Sequence, residues 1–158
     1  MKRFCLLTAT LALLGCGGEG AEGQEDAGWG RIAMRFEIDG AAVAFDRASA
    51  VAHGGSTVVS ASRAPAMQAF ELSFPGTAAG SFTCAGGARL EYVAETGARF
   101  AALGAEGGCA LEVTTCGAVG EPVAGTFTGA LVRIAGTGPG QLTLTGGAFE
   151  VARSADAP

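Results

Sequence analysis

Hydrophobic and polar positions alternate with a period of two along most of the chain after residue 31. In the clearest run, Ile32, Met34, Phe36 and Ile38 alternate with small or charged neighbours, which predicts a half-buried β-strand. Asp39-Gly40 follows as a hairpin turn signal. Similar alternation recurs at Phe70–Phe74, Phe82–Cys84, Leu90–Tyr92, Leu111–Val113, Phe127–Leu131, Leu142–Leu144 and Phe149–Val151.

Glycine-rich turn signals separate these runs. The sequence contains 27 glycines and no asparagine, so glycine has to supply nearly all positive-φ positions. About ten short strands with such spacing predict a single antiparallel β-sandwich, with a closed β-barrel as the alternative. Residues 41–52 are alanine-rich, and a short helix is the alternative there; residues 56–64 are similarly ambiguous. The predicted β-domain covers residues 31–153, and 154–158 form a short C-terminal tail.

The first fifteen residues have the organisation of a signal peptide. Lys2 and Arg3 precede an apolar stretch from Phe4 to Leu14. That stretch is shorter than the about 20 residues that a transmembrane helix needs, but it fits the apolar region of a signal peptide. A secretory signal also predicts a compartment in which disulfides form.

The signal-like segment ends in Leu13-Leu14-Gly15-Cys16, which resembles the lipobox of bacterial lipoproteins. This resemblance implies cleavage before Cys16, attachment of diacylglycerol to its sulfur and acylation of the new amine. Several acyl chains give stable attachment where one would be marginal. An ordinary signal peptide with an incidental cysteine is the alternative. Gly17 stands where an enterobacterial inner-membrane retention signal would place Asp, so the outer membrane is favoured over the inner, with the leaflet open.

Residues 16–30 comprise the cysteine and a tether rich in glycine and acidic residues. Such a composition cannot bury enough apolar surface to order itself. The four acids of the tether and the net charge of −5 for the whole chain predict repulsion from anionic headgroups. The acidic balance and the pI of about 4.8 argue against nucleic-acid binding, which requires a basic patch.

The domain itself resembles a group of uncharacterised small all-β bacterial lipoproteins. Three segments carry this resemblance: Phe36–Gly40, Gly125–Leu131 and Leu142–Val151. The resemblance implies a small all-β domain behind a lipobox, and it assigns no catalytic residue.

Three cysteines remain in the domain after the proposed cleavage. Cys109 and Cys116 bracket a predicted strand whose ends lie roughly 20 Å apart, too far for a disulfide, which needs Cα atoms within about 7 Å. Strand parity turns Cys84 and Cys109 inward, whereas Cys116 points outward or lies in a turn. We therefore predict a Cys84–Cys109 disulfide, which closes a loop of about 25 residues, and a free thiol at Cys116. Metal binding is disfavoured because no C-x-x-C spacing occurs and His53 is the sole histidine.

Candidate catalytic chemistry is sparse. A hydrolase would combine His53 with a serine (Ser49, Ser56 or Ser60) and with Asp39 or Asp46, but no G-x-S-x-G motif is present. No cofactor loop is predicted either, because the only lysine, Lys2, precedes Cys16. The arginines after residue 30 predict salt-paired surface positions, with a small anion-binding patch as the alternative.

Three hypotheses remain for function. The first is a non-enzymatic, lipid-anchored β-domain that binds an unknown protein or glycan of the cell envelope, to which exposed sheet edges offer a docking surface. The second is a carrier of small apolar ligands, built as a barrel with a cavity. The third is a hydrolase.

Overall fold

A computed structural model describes residues 33–104 and 108–155, and within them the protein is all-β, which confirms the predicted fold class. Eleven strands and one three-residue 3-10 helix (Cys84–Gly86) form the described elements. The strands are β1 (Met34–Ile38), β2 (Ala41–Phe45), β3 (Ala48–His53), β4 (Ser56–Arg63), β5 (Gln68–Pro75), β6 (Gly80–Thr83), β7 (Arg89–Val93), β8 (Arg99–Leu103), β9 (Cys109–Cys116), β10 (Pro122–Ala135) and β11 (Gln141–Ala152). The segments 41–52 and 56–64, where sequence left helix open or ambiguous, are strands.

One antiparallel sheet curls until it nearly closes into a barrel, in agreement with the barrel alternative. Its strand order is β2-β1-β11-β10-β8-β7-β5-β4-β3. The two outermost strands, β2 and β3, follow each other directly in sequence, and β3 approaches the end of β11 through a parallel bridge between Ala50 and Arg153. The Ser154 amide also donates to the Ala50 carbonyl at 2.7 Å. A bent β2–β3 segment therefore closes the wall.

β10 and β11 are longer than the alternating runs predict. The sequence separates Leu142–Leu144 from Phe149–Val151, but both belong to the 12-residue β11. Gly146, with φ of +58°, lies where the pairing registers of β11 with β1 and β10 shift, so a β-bulge carries the strand past the glycines. The two runs that the sequence shows separately are therefore one strand, because the bulge at Gly146 carries β11 past the glycines.

The length of β10 lets two strands pair with its same edge. β8 pairs with the C-terminal part of β10, from Val132 to Ala135, and β9 pairs with the N-terminal part, from Val123 to Gly129. β6 adds to the far side of β9. We call β6, β9 and the N-terminal part of β10 that pairs with β9 the disulfide half.

The opposite end of the barrel consists of turns. Here lie the β1–β2, β4–β5, β7–β8 and β10–β11 connections, which span residues 39–40, 64–67, 94–98 and 136–140. This region is called the hairpin end below. Asp39 ties the β1–β2 turn to the start of β11, since its Oδ1 accepts from the Thr143 amide at 2.8 Å and its own amide donates to the Thr143 carbonyl at 2.9 Å.

Aromatic side chains fill the middle of the barrel. Phe36 and Phe70 lie with ring centroids 4.7 Å apart, and Phe70 stacks on Phe127 at 5.1 Å. Phe127 continues the cluster to Phe149 at 6.2 Å. Such offset and tilted aromatic contacts stabilise beyond the area that they bury. The centre of the barrel is thus a packed core.

Two glycines make room for these rings. Gly147 faces Phe127 across the β10–β11 pair, and Gly125 faces Phe149. A Cβ atom on Gly147 would lie within 2.6 Å of the Phe127 ring, and one on Gly125 would lie 3.0 Å from the Phe149 ring and collide with the Glu112 carbonyl oxygen. Each phenylalanine therefore lies over a glycine on the neighbouring strand, and neither glycine leaves space for a side chain.

Candidate functional site

The predicted lipidation site, Cys16, lies outside the described residues, as do the signal-like segment 1–15 and the tether 16–30. The described barrel begins at Ala33, whose amide donates to the Phe45 carbonyl at 2.9 Å. β1 then runs from Met34 toward the hairpin end, because its last residue Ile38 pairs with Leu144 near the start of β11. The chain therefore enters the barrel away from the hairpin end.

Cys84 and Cys109 form a disulfide, as strand parity predicts. Their Cα atoms are 5.2 Å apart and 25 residues apart in sequence. Cys84 begins the short 3-10 helix after β6 and is buried, and Cys109 begins β9. The bond ties the end of β6 to the start of β9. Its geometry is that of a structural crosslink inside the wall.

Cys116 is the free cysteine among the described residues, in agreement with the prediction from parity. It ends β9, is half-buried, and packs against the core. The pairing Cys109–Cys116, which sequence disfavoured, is excluded in this structure because the two residues occupy opposite ends of one extended strand.

His53 lies exposed at the end of β3, beside the Gly54-Gly55 turn and opposite Ser56. Asp39 occupies the hairpin end and is already bonded to Thr143. Ser60 donates to Glu71 at 3.4 Å. The structure thus brings Ser56 beside His53, whereas Asp39 lies at the hairpin end, away from both.

An open cleft of about 490 Å³ with a mixed polar and apolar lining lies on the outer face of β3, β4, β5 and β7. Its carboxylates already have partners, since Glu91 pairs with Arg89 and lies 3.6 Å from Arg99. The two salt-paired arginines agree with the surface role that sequence predicts for them. Arg31 lies outside the described residues. Exposed pairs of this kind contribute little to stability.

A second cavity, of about 290 Å³, opens at the hairpin end between β1, β7, β8, β11 and the turns. Its apolar lining comes from Ile38, Tyr92, Ala94, Ala98, Phe100 and Leu142, and its rim from Thr96, Thr137, Gly138 and Pro139. This set contains no charged residue. We call it the hairpin-end pocket.

A buried polar pair lies behind this pocket. Gln68 Nε2 donates to the Tyr92 hydroxyl oxygen at 2.7 Å, and both residues are 6% exposed. Ala69 pairs with Val93, so continuing the register places Gln68 beside the pocket residue Ala94. Gln68 Oε1 is buried without a hydrogen-bond partner in residues 33–104 and 108–155. Such an unsatisfied buried acceptor costs about 1–3 kcal/mol.

Burial raises the pKa of the Tyr92 hydroxyl above its ordinary value of 10.0. The hydrogen bond from Gln68 and the charge of Arg63 lower this pKa, and the charge of Glu95 raises it further. Tyr92 is therefore neutral at physiological pH. Sequence analysis missed this pair, although Gln68 was visible as the first residue of an alternating strand, at the parity of Phe70, Leu72 and Phe74. A polar residue at core parity is the signal that would have found it.

Two further findings concern the described part of the chain. Its only helix, Cys84–Gly86, is far too short to cross a bilayer. No group of three or more His, Cys, Asp and Glu side chains within residues 33–104 and 108–155 is arranged to hold a metal ion.

Comparisons of the chain with models of protein families, with curated proteins and with solved structures gave no significant match.

Proposed function

We propose that this protein is a lipid-anchored, non-catalytic binding domain of the bacterial cell envelope. The anchor is the acylated Cys16, the acidic segment 17–30 separates the barrel from the membrane, and the barrel presents its hairpin end outward. The partner is an envelope protein or glycan, and the outer membrane is the favoured site of attachment.

The sequence supports the anchor through the order of its segments. A positive start, an apolar stretch and Leu13-Leu14-Gly15-Cys16 precede the glycine-rich and acidic tether. A flexible tether of this length has a mean end-to-end distance of roughly 20–25 Å. That distance keeps the barrel near the membrane without embedding it, and the four acids of the tether oppose contact with anionic headgroups.

The observation that carries the proposal is the path of the chain into the barrel. β1 starts at Met34 opposite Phe149 of β11 and ends beside the hairpin end. A tether attached at Ala33 therefore pulls on the barrel from a point away from the hairpin end. This geometry favours display of the four turns and their pocket toward the surroundings.

A comparison of two cysteine variants of the full chain tests the anchor. The wild-type chain and Cys5→Ser, the matched control upstream of the cleavage site, should fractionate with membranes. Their intact mass should correspond to a chain that begins at residue 16 and carries lipid. Cys16→Ser should lack the lipid mass. A wild-type chain that is soluble, without lipid and cleaved elsewhere would overturn the proposal.

The hydrolase hypothesis makes a separate prediction that the same preparations can test. A hydrolase would turn over ester, peptide or glycan substrates in a manner that depends on His53. We expect His53→Ala to leave any measured turnover unchanged. Turnover that disappears in His53→Ala would replace the binding role with a catalytic one.

A further inference from the structure

We propose that the hairpin-end pocket binds a small neutral molecule with a ring-sized apolar body and one hydroxyl group, which hydrogen-bonds to the Tyr92–Gln68 pair. This goes beyond the proposed binding role, whose partner is an envelope protein or glycan, by adding a small-molecule ligand. Its test requires no lipid anchor, so either proposal can fail while the other stands.

The size and lining of the pocket define the apolar part of the ligand. A volume of about 290 Å³ lies at the lower limit of small-molecule sites, which run from about 300 to 1,000 Å³. Ile38, Phe100 and Leu142 supply apolar surface from three different strands. A single ring or a short branched chain fits this space, whereas the packed phenylalanines beneath it prevent a long acyl chain from entering the barrel.

The buried polar pair defines the hydrogen-bonding part. Gln68 donates to the Tyr92 hydroxyl, and no group in the described residues accepts the hydroxyl's own proton. Within residues 33–104 and 108–155, Gln68 Oε1 lacks a donor as well. Tyr92 lines the pocket, so its hydroxyl supplies a donor there, and Gln68 on the neighbouring strand supplies an unused acceptor beside it. A ligand hydroxyl group can accept from the Tyr92 hydroxyl or donate to Gln68 Oε1, because it is both a donor and an acceptor.

The lining residues carry no charge, which favours a neutral ligand. None of the residues that line the pocket is Asp, Glu, Lys, Arg or His, so an ionised ligand would lose its hydration without gaining a counter-charge. Burial keeps the Tyr92 hydroxyl protonated, which preserves it as a donor. A neutral alcohol or phenol meets these conditions.

The probes for the test are 4-fluorophenol and fluorobenzene, which differ in one hydroxyl group. The full chain is purified from whichever cell fraction contains it, and binding is measured by ligand-observed fluorine NMR. We expect saturable binding of both probes, with 4-fluorophenol about tenfold tighter. Tyr92→Phe should remove that preference while fluorobenzene affinity stays unchanged, because the ring remains and the hydroxyl is lost.

Occlusion variants locate the site. Ala94→Leu should abolish binding of both probes by filling the pocket, whereas Ala124→Leu, the same change on β10 outside the pocket, should change neither affinity. Thr137→Trp at the exposed rim gives a second occluding variant if Ala94→Leu fails to fold. The proposal is overturned if neither probe binds, if the two bind equally well, if Tyr92→Phe keeps the preference, or if the folded occluding variants bind as the wild type does.

Discussion

Gly125 and Gly129, which pair with β9 in the disulfide half, are enclosed by backbone and side chains, whereas Gly140 in the β10–β11 turn at the hairpin end has no heavy atom within 4 Å of the position of its Cβ. The polar groups differ as well. In the disulfide half, a covalent bond between Cys84 and Cys109 crosslinks the wall. Near the hairpin end, Gln68 Oε1 is buried without a hydrogen-bond partner among the residues that the structure describes. The first region is fixed by packing and a crosslink. The second retains space and unused hydrogen-bonding capacity, which a ligand can satisfy.

Removing the disulfide should cause the largest loss in the free energy of unfolding, because only the disulfide half has a covalent crosslink among the described residues. Replacing both Cys84 and Cys109 by Ala frees a loop of 25 residues and should lower the free energy of unfolding by about 3–4 kcal/mol. Cys116→Ala is the control, and it should cost about 1 kcal/mol because Cys116 is only half-buried. Chemical denaturation under non-reducing conditions measures both. Equal losses would mean that the crosslink does not distinguish the disulfide half.

Adding a methyl group to a wall glycine should have the next largest effect. Gly125→Ala places a Cβ against the Glu112 carbonyl and the Phe149 ring, and we expect a loss of about 2–3 kcal/mol. Gly140→Ala, in the open turn, is the matched control and should change stability by less than about 0.5 kcal/mol. Thermal and urea unfolding report both variants. A tolerated Gly125→Ala would show that the wall is less tightly packed than the structure indicates.

Breaking the buried polar pair should have a moderate effect at the hairpin end. Tyr92→Phe leaves Gln68 without its remaining partner and should cost about 1–2 kcal/mol. Gln68→Met combined with Tyr92→Phe removes both polar groups and should restore most of that loss, because a satisfied apolar pair replaces an unsatisfied polar group. Urea unfolding of the single and double variants gives the coupling energy. Additive losses would show that the two side chains act independently.

Ionisation of Tyr92 should have the smallest effect on the free energy of unfolding. Tyr92 is the sole tyrosine, so the phenolate absorbance near 295 nm reports it alone. We expect ionisation at a higher pH in the folded chain than in the denatured chain, because burial raises its pKa above 10.0. The unfolded state then loses this proton first. Stability should therefore decline as pH rises from the unfolded pKa through the folded one. Coincident folded and unfolded titrations would contradict the burial of the hydroxyl.

The alternating pattern predicted the fold class and the disulfide, because both depend on strand parity. Phe70, Leu72 and Phe74 share one face, and all are buried. Parity also turned Cys84 and Cys109 toward the same interior. Parity depends only on positions within one strand, because successive side chains point to opposite faces whatever strands lie beside it.

The arrangement of the strands and the pocket could not be predicted in this way. Gly146 and Gly147 interrupt the alternation in sequence, and only the β10–β11 pairing shows that they form a bulge and leave room for the Phe127 ring. Gln68 and Tyr92 are 24 residues apart, and the strand register alone brings them together. Long-range pairing of this kind leaves no periodic signal in a single sequence.

Closure through the β2–β3 segment has a consequence for the time at which the protein can fold. β1 pairs with β11, the last strand, and Ala50 of β3 meets Arg153. During synthesis, β1 can pair with β2 and β3 with β4 early, but the β1–β11 pair and the Ala50–Arg153 bridge cannot form until β11 has been made. Such non-local pairing slows folding. The barrel wall therefore cannot close on a nascent chain that ends before β11, even though its local hairpins can already pair.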